Sequence, residues 1–333
     1  MEPGGNGSSD PTRNLALELA RVTEAAALAA GRFMGRGDKE GADGAAVNAM
    51  RIVLQTVDMS GIIVIGEGEK DNAPMLYNGE NVGNGSAPDV DVAVDPIDGT
   101  RPLAFGRSNS LATVALAPRG TMFDPGPFVY MNKLAVGPEA KGVINIEKSI
   151  TENLQAIAKA KNKDVEDLTT IILDRPRHDD MIAEIRRAGA RIRIIPDGDV
   201  AAALMTAWPD TGVDVLLGVG GTPEGVLAAC ALRAMGGEIQ GKLYARDEEE
   251  LRRGREAGYD FDKVLTMDDL VSSEDVFFAA TGITDGELLQ GVRYFGDGAS
   301  TDSLVVRGLT GTVRQISATH HIDKLRKLGD VKY

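Results

Sequence analysis

The chain has 333 residues, 43% hydrophobic and 26% charged, enough for a sizeable core shared by two domains or one large one. Its 36 lysines and arginines face 50 aspartates and glutamates, and the formal net charge of −14 excludes nucleic acid as the main ligand, because a phosphate backbone needs a basic footprint. An anionic substrate would gain nothing from the long-range field either, so local cations, metal ions among them, would have to hold it.

The first dozen residues, MEPGGNGSSDPT, have no basic stretch and no apolar core. Residues 1–12 therefore read as a disordered lead-in, not a signal peptide. No window approaches the ~18 apolar residues of a membrane-spanning helix, so no membrane partner is expected. Residues 14–34 are Ala-rich and helical, with Leu15, Leu19, Val22 and Ala26 on one stripe. Gly35, Gly37 and Gly41 break that helix, and a second is expected over 44–57 with Asp43 as its N-cap. Apolar runs at 62–65, 90–94, 111–117 and 128–135 read as strands. Helices followed by strands give an α+β first domain over 13–150, the expected metal-binding half.

Over 151–333 the rhythm changes. Strands at 169–173, 191–195 and 213–218 alternate with helices at 181–187, 200–207 and 226–235. This βαβαβα order predicts an open, mostly parallel α/β domain that gathers ligands at the carboxyl ends of its strands. Runs at 277–280, 291–294, 303–306 and 312–316 read as closing strands of unassigned sheet. The single cysteine, Cys230, lies in an apolar run and reads as a small buried hydrophobe, which suits a reducing, cytoplasmic setting.

Five polar clusters sit at strand ends. In Asp95-Pro96-Ile97-Asp98-Gly99-Thr100, Pro96 should stop the strand, so that Asp95, Asp98 and the Ile97 carbonyl share a tight turn. Such oxygens suit Mg²⁺ or Mn²⁺, and equally make an Asx-type turn. Gly66-Glu67-Gly68-Glu69 offers Glu67 to the same metal, or is an acidic surface loop. In Gly218-Val219-Gly220-Gly221-Thr222-Pro223-Glu224, Pro223 suits a first helical turn and Glu224 is favoured by the helix start. A dinucleotide fingerprint fails there, because position 223 is proline. In Pro196-Asp197-Gly198-Asp199 one acid caps the next helix and the other is open to ligand contact. Arg175-Pro176-Arg177-His178 suits bidentate phosphate recognition, or a surface ion-pair cluster. His320 and His321 read as a solvated tail pair. Serine-nucleophile and P-loop motifs are absent.

Taken together, these residues resemble class II fructose-1,6-bisphosphatases, relatives of the lithium-sensitive sugar and inositol phosphatases. Asp95–Thr100 is the superfamily motif. Gly35-Arg-Gly-Asp-Lys39 with Asp43, Ile65-Gly-Glu67, Ala73-Pro-Met-Leu-Tyr77, Tyr130-Met-Asn-Lys133, Arg175-Pro-Arg177-His178, Asp197-Gly-Asp199 and Gly221-Thr-Pro-Glu224-Gly225 narrow it to class II. The resemblance implies a layered α/β/α/β/α sugar-phosphatase fold. It implies metal ligation by Glu67, Asp95, Ile97, Asp98 and Glu224, with Asp43 a ligand or the partner that orients Thr100. Substrate contacts carry over to Asp98, Gly99, Thr100, Tyr130, Arg175, Pro176, Arg177, Asp197, Gly198, Asp199 and Gly221, while Lys39 and Asp71 match without a defined role. It further implies a sugar-bisphosphate substrate, hydrolysis at the 1-phosphate of fructose 1,6-bisphosphate in gluconeogenesis, and a homodimer or homotetramer. Sedoheptulose 1,7-bisphosphate and an inositol phosphate are the competing substrates. Arg101-Pro102-Leu103 departs from the pattern, since Pro102 stiffens the exit from the motif.

Overall fold

The computed structural model describes residues 14–67, 75–126, 128–327, 331 and 333. The lead-in at 1–12 and Asp71 lie outside the described residues. α1 (Ala16–Ala30) buries Leu19, Val22 and Ala26 as its stripe predicts, and Gly35 and Gly37, both at φ +72°, form the turn that follows. α2 (Lys39–Leu54) begins earlier than expected. Its N-cap is Asp38, whose Oδ1 accepts from Gly41 N at 2.9 Å, and Asp43 lies inside the helix instead. Gly41 does not break a helix. It occupies the first turn of α2, where a β-carbon would collide with Asp38 and Phe33.

The strands are β1 (Ser60–Ile65), β2 (Asn81–Val82), β3 (Asp89–Asp98), β4 (Leu111–Pro118), β5 (Tyr130–Val136), β6 (Thr169–Leu173) and β7 (Arg191–Ile195). They continue as β8 (Val215–Gly221), β9 (Glu238–Leu243), β10 (Phe277–Gly282), β11 (Arg293–Phe295), β12 (Gly298–Arg307) and β13 (Thr312–His321). The first sheet has eight strands in the order β11-β12-β10-β4-β3-β1-β2, with β13 also paired to β12. The second has five, in the order β7-β6-β8-β5-β9.

The four closing strands all join the first sheet, whereas β5, from the chain's first half, lies inside the second. A boundary at 150 therefore does not separate the two sheets. Nor is the second sheet mostly parallel: β7, β6 and β8 are parallel, but β5 runs antiparallel to both β8 and β9. No crossover helix obliges β5 to run parallel, because it enters from the other sheet. His320 is no tail residue. It belongs to β13, half-buried, with Nε2 2.8 Å from Thr301 Oγ1.

Strand alternation divides the core. Val90, Val92 and Val94 of β3, Val114 and Leu116 of β4 and Phe277 of β10 pack with α1 and α2. Ala93, Ala115, Phe278 and Ala280 point the other way, toward α7 (Thr222–Met235). α7 is apolar all round because it lies between the sheets, touching β3, β4 and β10 on one side and β5, β8 and β9 on the other. Cys230, within it, is buried as expected, and burial pushes its thiol up to about 12. α4 (Ile150–Lys161) and α5 (Asp179–Ala188) cover the outer face of the second sheet through Leu154, Ile157, Ile182 and Ile185. The result is the α/β/α/β/α layering expected from the resemblance.

Glu24 of α1 faces a cavity lined by Arg21, Thr56, His320 and Tyr333, and burial raises its carboxyl from 4.5 to about 7, against a smaller opposing pull from Arg21. The folded state thus holds this proton more tightly than the unfolded chain. The stability it supports is complete below about 4.5 and lost as pH rises through about 7. A Glu24→Gln protein should melt higher than wild type at pH 8 and level with it at pH 4. An equal gap at both pH values in differential scanning calorimetry would contradict this.

Candidate active site

β3 does not turn at Asp95 but continues through Pro96 to Asp98. β4 meets Asp95 at Thr113 and Asp98 at Leu111, so β3 carries one extra residue as a bulge. Pro96 is accommodated because β1 pairs with β3 only as far as Ala93, and no ladder bond is lost to the missing N–H. The Asx-type turn is present too, with Asp95 Oδ1 accepting from Ile97 N at 3.0 Å. Gly99, at φ +92°, reverses the chain into α3 (Thr100–Ala104) and serves as its N-cap. Thr100 Oγ1 lies 3.2 Å from Asp43 Oδ1 and 3.3 Å from the Ile97 carbonyl, which ties α2 to the bulge. Pro102 falls in the first turn of α3, where its missing N–H costs no helical bond. Lys39, the first residue of α2, sits over the Phe105 ring with Nζ 5.9 Å from the centroid.

The second sheet supplies the facing wall. Tyr130, at the start of β5, pairs with Gly221 at the end of β8. Arg177 lies over the Tyr130 ring at 5.3 Å and donates from Nε and Nη2 to Val219 O at 3.2 and 2.7 Å. Arg175 donates from Nη1 to the carbonyls of Asp174 and Pro196 at 2.8 and 2.7 Å, and its Nη2 is 3.6 Å from Asp197 Oδ1. Pro176 opens the short 3-10 turn that carries Arg177.

Neither Asp197 nor Asp199 caps α6 (Asp199–Met205), contrary to the sequence expectation. Gly198, at φ +90°, is the N-cap, and Ala201 N donates at 2.9 Å to Asp98 Oδ2 from the other sheet. Asp199 is drawn away by an ion pair with Lys133 of β5, whose Nζ also donates to Gly221 O at 2.8 Å. Asp197 accepts from Arg101 N of α3. The loops of the two sheets are thereby stitched together. Glu224 is the third residue of α7. A β-carbon at 221 would lie 1.7 Å from Glu224 Oε2, and one at 220 would lie 2.0 Å from Asp199 Oδ2. A side chain at either position would have to displace one of these carboxylates.

These carboxylates act on one another. Burial holds the Asp95 carboxyl well above the usual range, and Asp98, Glu224 and Glu67 push it further. Burial does the same to Asp98, with Asp199 the next cause. Asp197 is raised as well, by burial first and by Asp199, against the pull of Arg175. Glu67 follows β1 and is itself exposed. Among the described residues, no three carboxylates close on a single point as a finished cation cage would. What fits a divalent cation is the donor chemistry: Asp43, Glu67, Asp95, Asp98, Glu224 and the Ile97 carbonyl offer only oxygen, where burial and neighbouring acids already raise Asp95 and Asp98.

A family profile described as bacterial fructose-1,6-bisphosphatase, glpX-encoded, matches residues 13–320. The chain belongs to this family. It is 49% identical over 325 residues to fructose-1,6-bisphosphatase 1 class 2 of Escherichia coli (strain K12), covering 94% of this chain and 96% of that one. The same identity and coverage hold against fructose-1,6-bisphosphatase class 2 of Shigella flexneri.

Lys133 is a site residue to which the sequence reading assigned no role. Its signal was a lysine entering the apolar run Leu134-Ala135-Val136 of a strand, where burial calls for a counter-charge. Gly221→Ala should displace the Glu224 carboxylate. The variant is expected to fold, by circular dichroism, but to lose most of the melting-temperature rise that Mn²⁺ gives the wild type. An undiminished rise would show that Glu224 takes no part in cation binding.

Proposed function

We propose that this chain hydrolyses the 1-phosphate of fructose 1,6-bisphosphate to fructose 6-phosphate and inorganic phosphate, in gluconeogenesis, with Mg²⁺ or Mn²⁺ as cofactor. The observation that carries this reading is a carboxylate cluster with two anchored arginines beside it, Arg175 reaching Asp197, where the Asp98–Ala201 bond joins the two sheets. A substrate with phosphates at both ends matches that polarity, and the named relatives are fructose-1,6-bisphosphatases.

Glu67, Asp95, Asp98, Glu224 and the Ile97 carbonyl, with Asp43, would hold the cations. Bound there, they would supply an activated water and neutralise charge on the transferring phosphoryl group. The chain's own groups do the rest. Thr100 Oγ1 directs its hydrogen to Asp43, which leaves its lone pairs to accept a proton from the attacking water. Arg175 and Arg177, held by backbone carbonyls, bind the remote phosphate beside Tyr130 and Pro176. Its binding energy places the reacting phosphate. Gly99, Asp197, Gly198, Asp199 and Gly221 shape the sugar pocket. Sedoheptulose 1,7-bisphosphate presents the same end and is the second reading; an inositol monophosphate would leave the arginine pair unused. No helix among the described residues is long and apolar enough to cross a membrane. A cytoplasmic location and a homodimeric or homotetrameric assembly rest on the family resemblance.

The test is phosphate release by metal-stripped protein with Mg²⁺ or Mn²⁺ restored. Fructose 1,6-bisphosphate should be hydrolysed and inositol 1-phosphate scarcely. Thr100→Ala should keep its KM but lose about 10²–10⁴-fold in kcat. Comparable rates on the two esters would overturn the substrate assignment, and an unchanged kcat would remove Thr100 from the proton path.

A further inference from the structure

One residue beside the acidic centre, Val219, is held through both of its backbone groups. Val219 N donates to His178 Nε2 at 2.8 Å, while Val219 O accepts both Arg177 bonds. His178 Nδ1 lies 2.7 Å from Leu173 O. A carbonyl can only accept, so Nδ1 carries the proton. Nε2 receives an N–H, so it carries a lone pair. The imidazole is therefore neutral and confined to one tautomer. Burial, helped by the neighbouring Arg177, lowers its pKa in the same sense.

The ring is fully buried against Gly218, whose φ is +127°, and a β-carbon there would lie 3.1 Å from the imidazole. His178 thus bridges the carboxyl ends of β6 and β8. Any buried histidine needs partners for both nitrogens. What sets His178 apart is that one partner is the N–H of Val219, the residue whose carbonyl anchors Arg177.

We infer that His178 is the positioning residue of the remote-phosphate clamp: it holds the Val219 N–H and so fixes the backbone of that residue, whose carbonyl aims Arg177. Arg177 uses two of its five N–H groups on that carbonyl and one face on Tyr130. The other three N–H groups remain for phosphate, at an angle that the Val219 carbonyl sets. This inference rests on the reading of Arg177 as a phosphate ligand.

Three variants separate the contributions. His178→Gln keeps an acceptor for Val219 N, His178→Asn keeps only a donor for Leu173 O, and His178→Ala keeps neither. The readout is kcat/KM for fructose 1,6-bisphosphate divided by that for fructose 1-phosphate, which lacks the remote phosphate, with melting temperature measured alongside. Asn and Ala should lower this ratio about tenfold, chiefly through the KM of the bisphosphate, as loss of a hydrogen-bonded anchor for a charged group predicts. Gln should hold the ratio within about threefold, since it restores that one bond. If Asn retains the ratio, or if all variants lose rate on both substrates in step with melting temperature, His178 is only structural and the inference falls. A wild-type ratio near one would instead overturn the reading of Arg177, and the inference with it.

Discussion

Where the two sheets meet, Glu67, Asp95, Asp98, Asp197, Asp199 and Glu224 gather closely enough to act on one another's ionisation. Asp98 is buried and Asp95 half-buried, and each is pushed toward its neutral form by desolvation first and then by its acidic neighbours. Such a cluster is costly unless charge is supplied to it. Part of that charge is built in. Lys133, 2% exposed, answers Asp199, and Arg175 approaches Asp197. Around Asp95, the neighbouring Asp98, Glu224 and Glu67 add to the effect of burial, and the donors are oxygens of the kind that suit a divalent cation.

Backbone geometry makes the crowding possible. The bulge at Pro96–Ile97 re-aims Asp95 and Asp98 without ending the strand. Gly220 and Gly221 leave room for the Asp199 and Glu224 carboxylates where any side chain would collide. Asp98 crosses to cap α6, so it belongs mechanically to both sheets. Glu67, Asp95 and Asp98 thus come from the first sheet, Asp197, Asp199 and Glu224 from the loops and helix starts of the second, and the second alone adds Arg175 and Arg177, anchored on backbone carbonyls. That division suits a substrate that reacts at one end and is held at the other.

Much of this is legible in the sequence where the cause is local. β6 and β7 have the expected boundaries, since short β-branched runs between turn residues have few other solutions. The acidic and basic clusters at strand ends follow from the same reading. α4 was also legible and went unread: Ser149 and Glu152 form a capping box. Two acids near the start of α2 could each have served as a cap, and only the packing of Gly41 on Asp38 and Phe33 selects Asp38. The long-range choices left no local trace. Asp98 caps a helix 103 residues away, Lys133 pairs across 66, and β5 joins a sheet formed mainly by strands that follow it. Register and tertiary capping depend on the assembled layers, which no single segment encodes.

The central claim is that repulsion among buried carboxylates, relieved by divalent cations, governs this site. It is tested most directly by the thermal unfolding of metal-stripped wild type and Asp95→Asn, each with and without Mn²⁺. Removing one of these charges should make the metal-free variant melt higher than metal-free wild type, while Mn²⁺ should stabilise the wild type and leave the variant nearly unmoved. A metal-free variant that melts lower, or one that gains as much from Mn²⁺ as wild type, would contradict the account.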